Sequence, residues 1–322
     1  MSAIISLEDV EKHFGGITAV DGASFDVERG SITGLIGPNG AGKTTMFNLI
    51  SGFYKPDAGT IRYDGRDLQR IMAPSRDERL IWGGASALVG GAAAGIAGLN
   101  ALGTASPVPA AAAALGTGAG AGVYAGQERL KQRRSDRKNS RPYMLAREGL
   151  VRTFQITREL SEMTTLENLM LAPRNQPGEN LLNTWFRPEL VAAGEREVRE
   201  QAMEILDLLE IQHIRDEKAE NLSGGQKKLL ELGRVLMLQP DVILLDEPMA
   251  GVNPTLTNKL TDRITSLCSE GYTFCIVEHD MGVIMNLCDT IVVLDEGDVL
   301  VEGPPEEIQE NRKVLEAYLG AE

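Results

Sequence analysis

Gly37-Pro38-Asn39-Gly40-Ala41-Gly42-Lys43-Thr44 fills all eight positions of the spacing G-x-x-x-x-G-K-[ST]. The apolar run Ile32-Thr33-Gly34-Leu35-Ile36 precedes it and Thr45-Met46-Phe47-Asn48-Leu49-Ile50 follows, so the context predicts strand, loop, helix. Glycines there let successive backbone N–H groups converge on one point, and the following helix adds the positive end of its dipole. Such a loop cradles phosphates. Lys43 is placed to reach the β- and γ-phosphates of a nucleotide, the Thr44 hydroxyl to ligate Mg²⁺, and Thr45 to line the nucleotide site.

A second anion-binding stretch, Leu222-Ser223-Gly224-Gly225-Gln226, comes about 180 positions later and opens a helix. One chain has no need of two phosphate nests for one nucleotide, so the economical reading closes one subunit's nest over the loop of a partner. Val242-Ile243-Leu244-Leu245-Asp246-Glu247-Pro248 is an apolar strand ending in two carboxylates. A buried parallel strand delivers such residues to the ligand edge of a sheet. Asp246 suits Mg²⁺, held through the metal's water shell, and Glu247 suits general-base activation of an attacking water. His279, ending the run Val277-Glu278-His279, is placed to contact the γ-phosphate and orient Glu247 and the water. The Gln155 amide, in Arg152-Thr153-Phe154-Gln155, offers a ligand for metal or water beside the γ-phosphate. Phe14 stands either to stack on adenine or as a packing aromatic, while His13 and His213 read as ordinary histidines.

The chain has 322 residues with 43% hydrophobic content, enough for one large domain or two without stabilising staples. Its 46 Asp and Glu against 32 Lys and Arg argue against nucleic acid as a partner, since a polyphosphate backbone favours basic faces. The acidic, Lys-poor surface suits either a salt-rich cytoplasm or simple solubility. Three cysteines, Cys268, Cys275 and Cys288, lack metal-ligand spacing and fit a reducing compartment, and the N-terminus lacks a signal-peptide pattern.

Alternation at Ile5, Leu7 and Val10 and again over Ala23–Val27 predicts short antiparallel strands before the loop, with a further strand at Thr60–Tyr63. Downstream, the patterns predict helices over 195–209, 227–238 and 259–268, strands over 241–245 and 274–278, and a hairpin joining 291–294 to 299–302. Alternating strands and helices imply an α/β fold with a mainly parallel core and an antiparallel N-terminal sheet. Between these parts, 80–127 carries no charged residue and is dominated by Ala and Gly; Pro107 and Pro109 divide it, and seven Arg or Lys follow within 129–141. It reads either as a helical hairpin touching or entering a membrane or as a solvated or protein-packed insertion.

Together these motifs resemble those of ATP-binding cassette (ABC) transporter ATPases, over nearly the whole chain outside residues 75–141. More narrowly, Phe14-Gly15-Gly16 followed by Ala19-Val20, Gly149–Gln155, Thr165-Leu166-Glu167-Asn168-Leu169, Ala250-Gly251-Val252-Asn253-Pro254, Glu278-His279-Asp280-Met281 and Ala317-Tyr318-Leu319-Gly320 are similar to the branched-chain amino acid uptake subfamily. The resemblance implies a phosphate-loop NTPase cassette with a RecA-like parallel core, an N-terminal antiparallel β subdomain, and a helical subdomain over 156–235 carrying the signature. The whole chain, 1–322, is then one nucleotide-binding domain interrupted by the insertion at 75–141. It implies ATP and Mg²⁺ as cofactors and two cassettes sandwiching two ATPs head to tail, with Ser223 and Gly225 acting in trans. Asn253 stands where many cassettes carry an aspartate. The implied partners are integral membrane permeases, a second ATPase subunit and, indirectly, an extracellular solute-binding protein, at the cytoplasmic face of the plasma membrane. Urea and amide uptake ATPases look much alike, so the solute stays open between them and branched-chain amino acids. A repair or translation cassette fits less well: the insertion lacks charged heptads, and only one phosphate loop is present. A module that has lost catalysis is opposed by intact Lys43, Asp246, Glu247 and His279.

Overall fold

The alternating N-terminal residues form two long antiparallel strands, β1 (Ala3–Phe14) and β2 (Ile17–Glu28), in a computed structural model that describes residues 2–73, 142–153, 159–174 and 176–319. β3 (Ile32–Ile36) leads to helix α1 (Lys43–Ile50), followed by β4 (Ala58–Tyr63), β5 (Arg66–Asp67) and the single turn α2 (Leu68–Ile71). After the insertion come α3 (Pro142–Arg147), β6 (Leu150–Arg152) and the helices α4 (Thr165–Met170), α5 (Leu181–Phe186), α6 (Pro188–Leu208) and α7 (Gly224–Leu236). β7 (Val242–Asp246), α8 (Pro254–Ser269), β8 (Thr273–Val277), α9 (Met281–Leu287), β9 (Thr290–Asp295), β10 (Asp298–Gly303), α10 (Pro305–Glu310) and α11 (Arg312–Leu319) complete the order.

Two sheets result. One is antiparallel, β2-β1-β4-β5; the other runs β10-β9-β3-β8-β7-β6, with every neighbouring pair parallel except the edge strand β10. β3, β7 and β8 are buried at every position, which is why they read as unbroken apolar runs rather than alternating ones. Cys275 lies fully buried in β8, and burial pushes its thiol up to about 12. The α/β architecture expected from the alternating pattern is therefore present.

Helix starts were less legible than helix cores. α6 begins seven residues before the expected 195, with Pro188 in its first turn, and α8 begins at Pro254, capped by the Asn253 side chain on the Leu256 N–H at 3.0 Å. Proline's fixed φ suits a first helical turn, and those turns face solvent, so apolar periodicity does not reveal them. Along α6 the buried residues are Ala202, Ile205 and Leu206, which share one face at helical spacing.

Met1–Ile71 and Pro142–Glu322 close into one unit, and Met72–Arg141 falls outside it. The chain's return is fastened within that unit: the buried Tyr63 hydroxyl donates to the Glu148 carbonyl at 2.9 Å, and Arg66 pairs with Glu148 at 2.7 Å. The hairpin or insertion read at 80–127 lies outside the described residues. Among the described residues no helix is long and apolar enough to cross a membrane.

Candidate functional site

Parallel strands that start at one edge finish at the opposite one, so the ends of β3, β7 and β8 converge. β8 lies between the other two, with Leu35 and Asp246 both in register with Val277. Gly37 to Thr44 therefore meets Asp246, Glu247 and His279 at a single edge. The loop is shaped by glycine at two points where nothing larger fits. A Cβ on Gly37 would overlap the Leu294 carbonyl of β9, and one on Gly42, at φ 94°, would overlap the Ala19 carbonyl of β2. The β9–β10 turn steadies that approach, since the Asp21 N–H of β2 donates to the Gly297 carbonyl at 2.9 Å.

Within the loop, Asn39 and Gly40 are exposed, Pro38 is half-buried and Ala41 is buried. Lys43 caps the cradle from inside: its buried Nζ donates to the carbonyls of Gly37 at 2.6 Å and Pro38 at 2.8 Å. Burial holds this amine below its ordinary pKa, and the charge of Glu247 opposes that shift. Thr44 is exposed and Thr45 half-buried in the first turn of α1. The α1 N-terminus has no side-chain cap, and such termini favour anions.

Glu247 sits just past β7 at φ 49°, a left-handed conformation that costs a non-glycine residue about 1–2 kcal/mol. Its N–H donates to the Val277 carbonyl at 2.9 Å, which ties the turn to β8. His279 Nε2 lies 2.6 Å from Glu247 Oε1, within hydrogen-bond distance, and donates when Nε2 carries the proton. Behind them the buried Glu278 carboxylate accepts from the Met249 N–H at 2.7 Å and the His279 N–H at 3.1 Å. Burial raises the pKa of Glu278, an effect those two bonds oppose. A cleft of about 540 Å³, lined by Glu247, His279 and Asp280 among others, opens beside the pair.

Asp246 is buried at the end of β7 and bonded through Oδ2 to Arg152 Nη2 at 2.7 Å. Gln155 falls outside the described residues. Phe14 is 43% exposed and meets Tyr54 edge-on at 5.2 Å, so it packs against one neighbour and leaves ring surface for a base.

The Ser223–Gln226 stretch is a capping box. Ser223 Oγ accepts from the Gln226 N–H at 3.4 Å, and Gln226 Oε1 accepts from the Ser223 N–H at 2.9 Å. That reciprocal pair starts α7 at Gly224 despite two glycines in its first turn, where 227 was the expected start. Ser223 and Gly224 face solvent, whereas Gly225 is buried beneath Leu256 of α8. Any Cβ there would run into that leucine. Gly225→Val is therefore expected to lose about 1–3 kcal/mol in chemical unfolding of the nucleotide-free chain. Unchanged stability would mean that Leu256 moves aside freely and that the glycine is not needed for packing.

Comparison with known proteins decides the lineage. The family model described as ABC transporter matches residues 20–89 and 119–250. The chain belongs to the ABC transporter family. The model described as branched-chain amino acid ATP-binding cassette transporter matches residues 299–322 of this cassette. It is 33% identical over 99% of its length to the probable branched-chain amino acid transport ATP-binding protein LivG of Archaeoglobus fulgidus, of which 96% is covered. Identity to the high-affinity branched-chain amino acid transport ATP-binding protein BraF of Pseudomonas aeruginosa is 32%, over 98% of each chain. A solved ABC transporter cassette in its ADP conformation matches with a TM-score of 0.68 at 32% identity, over 99% of this chain and 100% of that one. The cassette is the nucleotide-binding ATPase subunit of a transporter.

Some residues of the cassette's site escaped the sequence reading. In the sequence Arg152 and Glu278 stand beside Gln155 and His279 with no pattern of their own to mark them, and nothing marks Leu256 or Tyr54. Their partners are 94, 29, 31 and 40 positions away in sequence, a separation that no local pattern encodes. The Ser-x-x-Gln spacing is a capping-box signature, and the same residues also read as an anion nest.

Proposed function

We propose that this cassette hydrolyses ATP to drive an importer for branched-chain amino acids. The observation that carries the catalytic half is the Glu247–His279 contact, at the strand edge where the phosphate loop also ends. In this reading Glu247 takes the proton of the attacking water, and His279 orients the carboxylate and meets the γ-phosphate. Lys43 and the loop N–H groups of 37–45 bind the phosphates. Phe14 flanks the base, and Gln155 senses the γ-phosphate end.

Mg²⁺ fits the donors available, because the Thr44 hydroxyl and the Asp246 carboxylate are hard oxygen ligands at one edge, joined by the Gln155 amide in the proposed set. When bound, the ion neutralises charge developing on the phosphates. The helices between Thr165 and Leu236 belong to a helical subdomain, 156–235, whose exposed Ser223 and Gly224, with Gly225, Gln226 and Asn253, complete the site of a second cassette. ATP closes that dimer and hydrolysis reopens it, rocking membrane permeases on the cytoplasmic face. Match of the C-terminal residues to the branched-chain model, together with the names of both relatives, supports the solute.

The cassette itself does not touch solute, so the test uses its external receptor. Receptor added to proteoliposomes holding the permeases and this cassette should drive ATP-dependent uptake of labelled leucine, isoleucine or valine. Uptake of urea or acetamide in place of leucine would replace the assigned solute.

A further inference from the structure

Arg152 gathers more of the site than any other side chain of β6. One guanidinium nitrogen donates to Asp246 Oδ2 at 2.7 Å, and the other to Asn48 Oδ1 at 2.7 Å and Ser51 Oγ at 3.0 Å, both on the phosphate-loop helix or its cap. The guanidinium carbon also lies 5.1 Å from the Phe47 ring centroid and 5.5 Å from that of Phe53. Only about a tenth of either side chain in the Arg152–Asp246 pair reaches solvent. Arg152 Nε is buried without a hydrogen-bond partner, a cost that folding alone does not favour. A flat fork held at both ends and against two rings is not free to swing away.

We propose that Arg152 is the positioning residue of the metal carboxylate. It fixes Asp246 through Oδ2, turns the remaining oxygen toward the metal's water shell, and locks that carboxylate to the helix bearing Thr44. A donor to a metal-binding carboxylate sets the orientation of the ligand and so the affinity for the ion. Because α1 and β7 are separate elements, a side chain that grips both bears directly on the spacing of the two metal-facing residues. This rests on the reading of Asp246 as a Mg²⁺ residue, and the test separates the two.

Fluorescent ADP binding to the full chain is measured in EDTA and then across a Mg²⁺ titration, for Arg152→Met, Arg152→Lys, Asn48→Ala and Asp246→Asn. Methionine keeps apolar length between the two rings and removes the fork. For Arg152→Met, ADP affinity in EDTA is expected to stay within about threefold, while the Mg²⁺ half-saturation point rises about tenfold. Arg152→Lys recovers part of that loss, and Asn48→Ala, which loosens the fork without removing its charge, shifts it about threefold in the same direction. If Asp246→Asn raises the half-saturation point and Arg152→Met leaves it unchanged or lowers it, the positioning role is overturned and the metal role of Asp246 stands. A lowered value would mean that Arg152 merely competes with the cation. If Asp246→Asn changes nothing, the metal reading itself falls. Should Arg152→Met fail to fold, Asn48→Ala decides alone, and an unshifted Mg²⁺ response overturns the proposal.

Discussion

Glu247→Gln is expected to cut ATP turnover by about 10³-fold, within the range a positioned general base supplies, while an ATP-bound dimer still forms. Glutamine keeps the length of the side chain and leaves the Glu247 N–H bond to Val277 in place, so the backbone at φ 49° is preserved. What it removes is proton affinity. The amide cannot take the proton of water, and its NH₂ or carbonyl end must meet His279 Nε2, which lies 2.6 Å from Oε1 in the native chain. Steady-state phosphate release gives the rate, and light scattering with and without ATP gives the assembly. Turnover above a tenth of normal would remove Glu247 from the role of base. A variant that loses the dimer as well would point to a structural part for the carboxylate instead.

Lys43→Ala is expected to weaken ATP binding about 10²-fold and to leave no measurable turnover. The amine is buried against the carbonyls of Gly37 and Pro38, and burial already disfavours its charge. A polyphosphate entering the cradle adds negative charge beside a buried amine, so its attraction is strong and poorly screened. In the rate itself, a preorganised donor of this kind is worth about 10²–10³-fold when removed. Titration with a fluorescent ATP analogue measures the loss, and thermal unfolding without nucleotide checks that the loop still folds. Affinity within twofold of normal would show that the loop N–H groups alone hold the phosphates.

The phosphate loop, the three buried strands and the two carboxylates closing β7 were all visible as local patterns. Each depends on neighbours within a few residues: glycines for the turn, apolar runs for burial, an acid at a strand end. Helix starts were hidden where the first turn is solvated, as at Pro188, and Gly224 began its helix through a capping box that looked like something else. Gln155 and the stretch 80–127 lie outside the described residues.

The sequence by itself determined the chemistry on offer: an anion cradle at 37–44, oxygen ligands for a hard cation, and a carboxylate suited to activate water. These follow from residue type and short-range spacing, which are properties of the chain before it folds. Only the tertiary structure decided how those groups are held. Parallel register puts β8 between β3 and β7 and brings His279 within 2.6 Å of Glu247. The same packing clamps Asp246 with Arg152 and buries Gly225 under Leu256. Such contacts join residues tens of positions apart. They arise because apolar strands must be covered on both faces, and that burial selects one register in which the distant groups meet.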